Sequence, residues 1–156
     1  MAEIKTKKGE IILVDDEDYE VVSGFTWHVT NKGYVLTGVR QKDGKKKRLL
    51  IHRLLVGLDT GDRRVIDHIN GNKRDNRRAN LRVCTQAENS RNRGINKANK
   101  SGNKGVSFNA NRGKWQASIQ CNKRQKFLGL FETKELAHEF YCLAADMVHG
   151  EFANHG

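Results

Sequence analysis

An aspartate and a histidine stand side by side at Asp67 and His68, within the run VIDHINGNKRDNRRANLRVCTQAENSRNR of residues 65–93. Asparagines, arginines and lysines fill that run with little apolar relief, a composition that no hydrophobic core requires. A carboxylate and an amide oxygen are hard ligands of the kind Mg²⁺ accepts, leaving positions for water and a substrate phosphate. A neutral imidazole, with an ordinary pKa of about 6.5, can take a proton from an attacking water near neutral pH. Asp67 and His68, with the amides of Asn80 and Asn89 further along, therefore have the types needed for phosphodiester hydrolysis.

Adjacent residues on a straight strand point to opposite faces, so the pair by itself proves little. The elements around it must do the positioning. RRVIDHI is a strand candidate, NGNKRDNRRA a polar loop and NLRVC a second short strand. In TQAE the spacing of Thr85 and Glu88 fits a capping box, which predicts a helix from near Gln86. The expected order is strand, loop, strand, helix, with the hairpin laying one strand beside the other and the helix carrying Asn89 back towards them. Asn70, Asn72, Asp75 and Asn76 read as turn formers, because Asn and Asp bond their own backbone and tolerate the left-handed region.

The stretch DHINGNKRDNRRANLRVCTQAEN resembles the HNH endonuclease motif, in the branch found in phage and intron homing endonucleases. Asp67, His68, Asn80 and Asn89 match it residue by residue, with steps of 12 and 9 residues between the last three. IHRLLVGL, which carries His52, is similar to the H-R-L segment of the same branch. The resemblance implies a ββα-metal fold with His68 as general base. Asp67 and Asn89 would be ligands of one Mg²⁺ or Mn²⁺, and Asn80 would pin the loop. The third signature position is Asn89 rather than histidine, and the zinc-binding cysteine pairs of some relatives are missing. His52 admits two readings, a core histidine or an auxiliary phosphate contact.

Residues 10–60 read as short strands, with EIILV, TWHVT and YVLTGVR separated by DDED and NKG turn signals, and a hairpin at QKDGKKKRLL. A helix opens at IHRLLVGL. This N-terminal region is read only as a β-rich support. Residues 93–103, RGINKANKSGN, look like a basic linker. Beyond it GVSFN, KWQASIQC and QKFLGLF form a three-stranded meander, with Trp115, Ala117 and Ile119 on one face. KELAHEFYCLAADMVHG follows as a helix capped by Thr133, its apolar positions Leu136, Phe140, Leu143 and Ala144 at helical spacing. The expected class is α+β: an HNH nuclease domain over residues 1–92 with its core near 63–92, the linker, and a sheet-on-helix domain over 104–156.

That last domain resembles the AP2/ERF DNA-binding domain, on KGV, GKWQASI, FLGLFET, A…YCLAA and HGEFAN. The resemblance implies a sheet in the major groove, read out by Ser107, Asn109, Arg112, Ser118, Gln120, Gln125 and Phe127. Asn and Gln suit adenine where Arg suits guanine, so these positions argue against a GC-rich site.

The charge supports a polyanion partner. The chain of 156 residues carries a formal +11. No acid falls between Asn89 and Phe131, a window that holds Arg91, Arg93, Lys97, Lys100, Lys104, Arg112, Lys114, Lys123, Arg124 and Lys126. Arg91, Arg93, Lys97 and Lys100 are expected on phosphates or in the minor groove. Three scattered cysteines exclude a disulfide framework and a structural zinc site. With no apolar leader or spanning run, the expected setting is intracellular and cytoplasmic, phage-encoded by resemblance, with no membrane partner. The expected function is a site-preferring, metal-dependent endonuclease on double-stranded DNA, a monomer or weak homodimer. The alternatives are a DNA-binding regulator with an inactive nuclease domain, and action on RNA.

Overall fold

In the computed structural model, which describes residues 1–59 and 61–156, the chain folds back on itself at once. β1 (Ala2–Lys5) runs antiparallel to β2 (Ile11–Val14), a strand the sequence showed as EIILV. DDED is not a plain turn. Asp16–Asp18 form a 3₁₀ turn that continues into α1 (Tyr19–Ser23), with the acids at the helix start where the dipole favours them. β3 (His28–Val29), β4 (Val35–Arg40) and β5 (Lys46–Leu50) follow as a three-stranded antiparallel sheet. β5 passes directly into α2 (Ile51–Val56), which Gly57 closes in the left-handed conformation at φ 72°. Ile12, Val14, Val22, Trp27, Val35, Ile51 and Leu55 make one buried cluster, so the β-rich N-terminal region has a core of its own.

β6 (Val65–His68) and β7 (Leu81–Cys84) pair antiparallel, with Asp67 opposite Arg82 and His68 opposite Leu81. α3 (Gln86–Arg91) comes next. The contacts divide the chain into two units, Met1–Gln86 and Ala87–Gly156.

In the second unit β8 (Val106–Asn109), β9 (Lys114–Cys121) and β10 (Arg124–Phe131) form the meander, in the order β10-β9-β8. α4 (Lys134–His149) packs on one face, and the Thr133 side chain accepts from the Leu136 N–H at 3.2 Å. Ala117 and Ile119 point into this small core with Val106. Residues 93–103 belong to the unit. Ser101 and Asn99 bond the backbone of this segment and its neighbours, and Lys104 Nζ donates to the carbonyls of Arg91 and Arg93.

The face that α4 buries is not the one its large residues suggest. Ala137, Tyr141 and Ala145 are buried, whereas Leu136, Phe140 and Leu143 are 41%, 46% and 57% exposed. The cause is close approach. A Cβ on Gly105 would lie 2.0 Å from the Tyr141 ring, and alanines at 137 and 145 let the helix settle near a narrow sheet where leucines would hold it off. Overall the protein is mixed α and β, with small antiparallel sheets and few helices.

Candidate active site

Asp67 and His68 end β6, and both are buried. The loop that follows is built by side-chain bonds. Asn80 is its hub: its Oδ1 accepts from the Asn70 N–H at 3.0 Å and its Nδ2 donates to the Asp75 carbonyl at 2.8 Å. The backbone adds a bond from the Ile69 N–H to the Asn80 carbonyl at 2.9 Å. The loop also leans on β2. Leu13 donates to Arg74 and its carbonyl accepts from Asn76, both at 2.8 Å. The N-terminal hairpin is thus an edge against which the loop is laid.

Asn76 was read from sequence as a turn former, yet it is fully buried and its Oδ1 lies 3.2 Å from His68 Nε2. The orientation of the amide follows from its other end, where Nδ2 reaches the Lys73 carbonyl, an acceptor only, at 3.3 Å. Oδ1 therefore faces the imidazole, which must donate from Nε2, and the lone pair of the neutral ring sits on Nδ1. Burial lowers the His68 pKa below its ordinary value, opposed by the Asn76 bond and the Asp67 charge. His68 is a neutral base at neutral pH.

The Asp67 carboxylate receives Arg82 Nε and Nη2 at 2.9 and 2.7 Å on Oδ2, from the facing strand. Its chemistry, a hard anionic oxygen beside His68, fits a divalent cation that would share the carboxylate with the guanidinium. His52, in the first turn of α2, is buried. Its ring packs edge-on against His68 at 5.3 Å and against Tyr34 at 5.9 Å. Burial, with the charges of His68 and Arg53, lowers its pKa to about 3. It is part of the packed site, and its Nδ1 has no hydrogen-bond partner among the described residues.

The arginines of the loop do not all face outward, as their composition suggests. Arg77 holds Asp75 at 2.6 Å, Arg78 holds the buried Asp18 at 2.6 Å, and Arg82 holds Asp67. Lys73 sits 4.1 Å over the Tyr34 ring and donates to the Lys32 carbonyl. Asp15 caps the Arg78 N–H at 2.7 Å. Asp75, Asp18 and Asp67 are buried and each takes an arginine, because an uncompensated buried charge costs several kcal/mol. Among the described residues, Arg74 is the loop cation whose side chain makes no such bond.

The structure thus brings Asp67, His68, Asn80 and His52 together in the first unit, and it adds Asn76. Asn89 lies half-buried on α3 and belongs to the second unit. In that unit the expected sheet readers share one face. Register places Ser107 opposite Gln116, Ser118 opposite Phe127, and Gln120 opposite Gln125. Ser107, Gln120 and Gln125 are exposed, and Phe127 is 62% exposed. Arg112 is exposed on the β8–β9 turn and Asn109 is half-buried, bonded to Gln116 at 3.3 Å. Arg93, Lys97 and Lys100 are exposed and Arg91 is half-buried.

Comparison with known proteins places part of this chain beside a known family. A family model described as HNH endonuclease matches residues 50–91, the span from α2 to α3. Over 148 residues the chain is 30% identical to a protein described as an uncharacterized HNH endonuclease of Acanthamoeba polyphaga mimivirus, covering 94% of this chain and 74% of that one. Over 88 residues it is 33% identical to Protein 3.8 of Escherichia phage T7, covering 56% of this chain and 72% of that one. No solved structure matches.

Proposed function

The chain belongs to the HNH endonuclease family, and from that premise we propose that it is a divalent-metal-dependent, site-preferring endonuclease on double-stranded DNA, of the homing type. The observation that carries the reading is His68: buried, held neutral, and fixed by Asn76 as the tautomer with its lone pair on Nδ1.

Nδ1 of His68 takes the proton of a water as its oxygen attacks the scissile phosphorus. The bond from phosphorus to the 3′ oxygen breaks, the leaving oxygen takes a proton from solvent, and the products carry a 5′-phosphate and a 3′-hydroxyl. The imidazolium that forms is stabilised by the neighbouring Asp67 charge, and the Asn76 carbonyl oxygen keeps its Nε2–H bond throughout. Asn80 holds the loop so that the ring does not swing away. Asp67 would hold one Mg²⁺ or Mn²⁺, with Asn89 as the second ligand that the resemblance to the family motif implies, and the ion would supply Lewis-acid polarisation of the phosphoryl oxygen and charge stabilisation at the leaving oxygen.

The second unit chooses where to cut, in the manner of the AP2/ERF sheet it resembles in sequence. Ser107, Asn109, Arg112, Ser118, Gln120, Gln125 and Phe127 contact bases and sugars, and Arg91, Arg93, Lys97 and Lys100 contact phosphates. With one His68 per chain, a monomer nicks one strand, and a double-strand break needs a weak homodimer or a second encounter.

Supercoiled plasmid with Mg²⁺ tests the reading. Wild type converts it to open circles or linear DNA, and His68→Ala lowers the rate by about 10² to 10⁴-fold, the usual loss of a general base. If neither protein cuts while the full chain still shifts duplex DNA, the chain is a DNA-binding regulator. Stronger competition by duplex RNA than by duplex DNA would overturn the major-groove assignment.

A further inference from the structure

The β3–β4–β5 sheet of the first unit has an outer face for which the catalytic reading has no use. Register sets Arg40 opposite Lys46 and Gly38 opposite Arg48, and residues directly opposite share a face. Gly38, Arg40, Lys46 and Arg48 are exposed on that side, while Val35 and Thr37 are buried on the other. The turn adds Lys42 and Lys45. The one acid between residues 40 and 48 is Asp43, which pairs with Lys45 at 3.6 Å. Among the described residues Arg40, Lys46 and Arg48 have no ion-pair partner.

Two features of this face lack an internal reason. Like charges directly opposite across a strand pair destabilise a sheet, yet Arg40 faces Lys46 with nothing to neutralise either. A glycine inside a strand weakens it, yet Gly38 has no positive φ, and an added Cβ would meet nothing within 4 Å. Neither the backbone nor the packing calls for glycine there. An external polyanion answers both. It would neutralise the facing cations, and the bare strand between Arg40 and Arg48 would let it come close. Alternate residues on a strand lie about 6.6 Å apart, about two steps of one strand along a duplex axis, where each phosphate takes about 3.4 Å.

The face is also rigidly tied to the chemistry. β5 ends at Leu50 and α2 starts at Ile51, so His52, the next residue, carries the sheet onto His68 without a loop between. Tyr34, at the entrance to β4, packs on His52 and receives Lys73. A strand of nucleic acid gripped on the sheet is held in register with the base.

We propose that the outer face of β4 and β5, with its lysine turn, is a rail for the phosphate backbone of duplex DNA, separate from the sheet of the second unit. The proposal rests on the nuclease reading above.

The test uses the full chain and a fluorescein-labelled duplex of about 30 base pairs, with affinity measured by anisotropy in EDTA at several KCl concentrations. In the variant R40Q/K46Q/R48Q the slope of log affinity against log salt becomes shallower by about 2 to 3, since each phosphate contact contributes about 0.9. Affinity at 0.15 M salt, on the order of physiological ionic strength, falls at least tenfold. G38E, which sets a carboxylate between the cations, weakens binding likewise with an unchanged melting temperature. If both variants bind with wild-type slope and affinity while wild type cuts in a His68-dependent way, the rail is overturned and the nuclease stands. If wild type neither binds nor cuts duplex DNA, both fall.

Discussion

The loop of residues 69–80 and the outer face of the β8–β10 sheet are made of much the same polar residues and use them in opposite ways. In the loop, Asn70, Asn72, Asn76 and Asn80 all bond atoms of the loop or of His68, and Arg77 and Arg78, with Arg82 of β7, are paired with carboxylates of the protein. On the sheet, Ser107, Gln120 and Gln125 are exposed around a bare Phe127. The loop therefore builds a fixed geometry, while the sheet leaves much of its polar surface exposed, as the proposed DNA contact requires. Amides used inward should control folding and turnover together, and amides used outward should control affinity alone.

The largest effect falls on the hub of the loop. Asn80→Ala takes the acceptor from the part-buried Asn70 N–H and the donor from the buried Asp75 carbonyl, which costs about 2 kcal/mol. Cleavage should fall more than 100-fold even below the melting temperature. Asn76→Ala frees the His68 ring and should lower kcat with little change in KM, measured on a defined duplex. Asn76→Asp, which still presents an oxygen to Nε2, should recover part of that loss. If Asn80→Ala keeps wild-type stability and rate, the loop is not the rigid element described here and the contrast collapses.

The next effect is the dependence of stability on pH, and it too belongs to the first unit. His52 has its pKa lowered to about 3, chiefly by burial, and unfolding restores a value near 6.5. Below pH 6.5 the unfolded chain binds a proton that the folded chain refuses. Stability is flat above that pH and declines below it by about 1.4 kcal/mol per pH unit, down towards pH 3. His68, lowered in the same direction, adds to the decline. Urea unfolding at pH 7, 6 and 5 should show it, and His52→Gln should flatten the curve. Carboxylates such as Asp75, with its pKa lowered by Arg77, enter only below about pH 4.

The sheet supplies the smaller, outward effect. Gln120→Ala and Gln125→Ala should each weaken binding to the preferred site by about 1 kcal/mol, near the low end for a base contact. Both should leave the melting temperature unchanged. Equal weakening on every sequence would assign these residues to the backbone rather than to bases.

How much of this was legible in the sequence follows the same division. The order of strand, loop, strand and helix was readable, because β6, β7 and α3 each carry local signals of strand propensity or capping. So was the meander, whose alternation at Trp115, Ala117 and Ile119 is a period-2 pattern. Asn76 was not, since one asparagine in a loop full of them carries no mark of being the one that meets His68. Nor were the Asp18–Arg78 and Leu13–Asn76 contacts, which join residues about sixty positions apart and are set by tertiary packing. DDED read as a turn because four acids signal solvent, although the same acids favour a helix start.

The smallest effect tests the one place where hydrophobic periodicity misled. Leu136, Phe140 and Leu143 keep helical spacing, but so do Ala137, Tyr141 and Ala145, and only distance from the sheet decides between the two stripes. Tyr141 against Gly105 fixes that distance, and it leaves Met147 88% exposed. Met147→Gln should therefore change stability by less than about 0.5 kcal/mol, as surface substitutions do. Ala145→Leu, a larger side chain on the buried stripe, should cost about 1 to 3 kcal/mol through overpacking. Thermal unfolding of the two variants side by side reads the orientation of α4 directly: a helix turned onto its leucines would give the reverse order, with the glutamine destabilising and the leucine harmless.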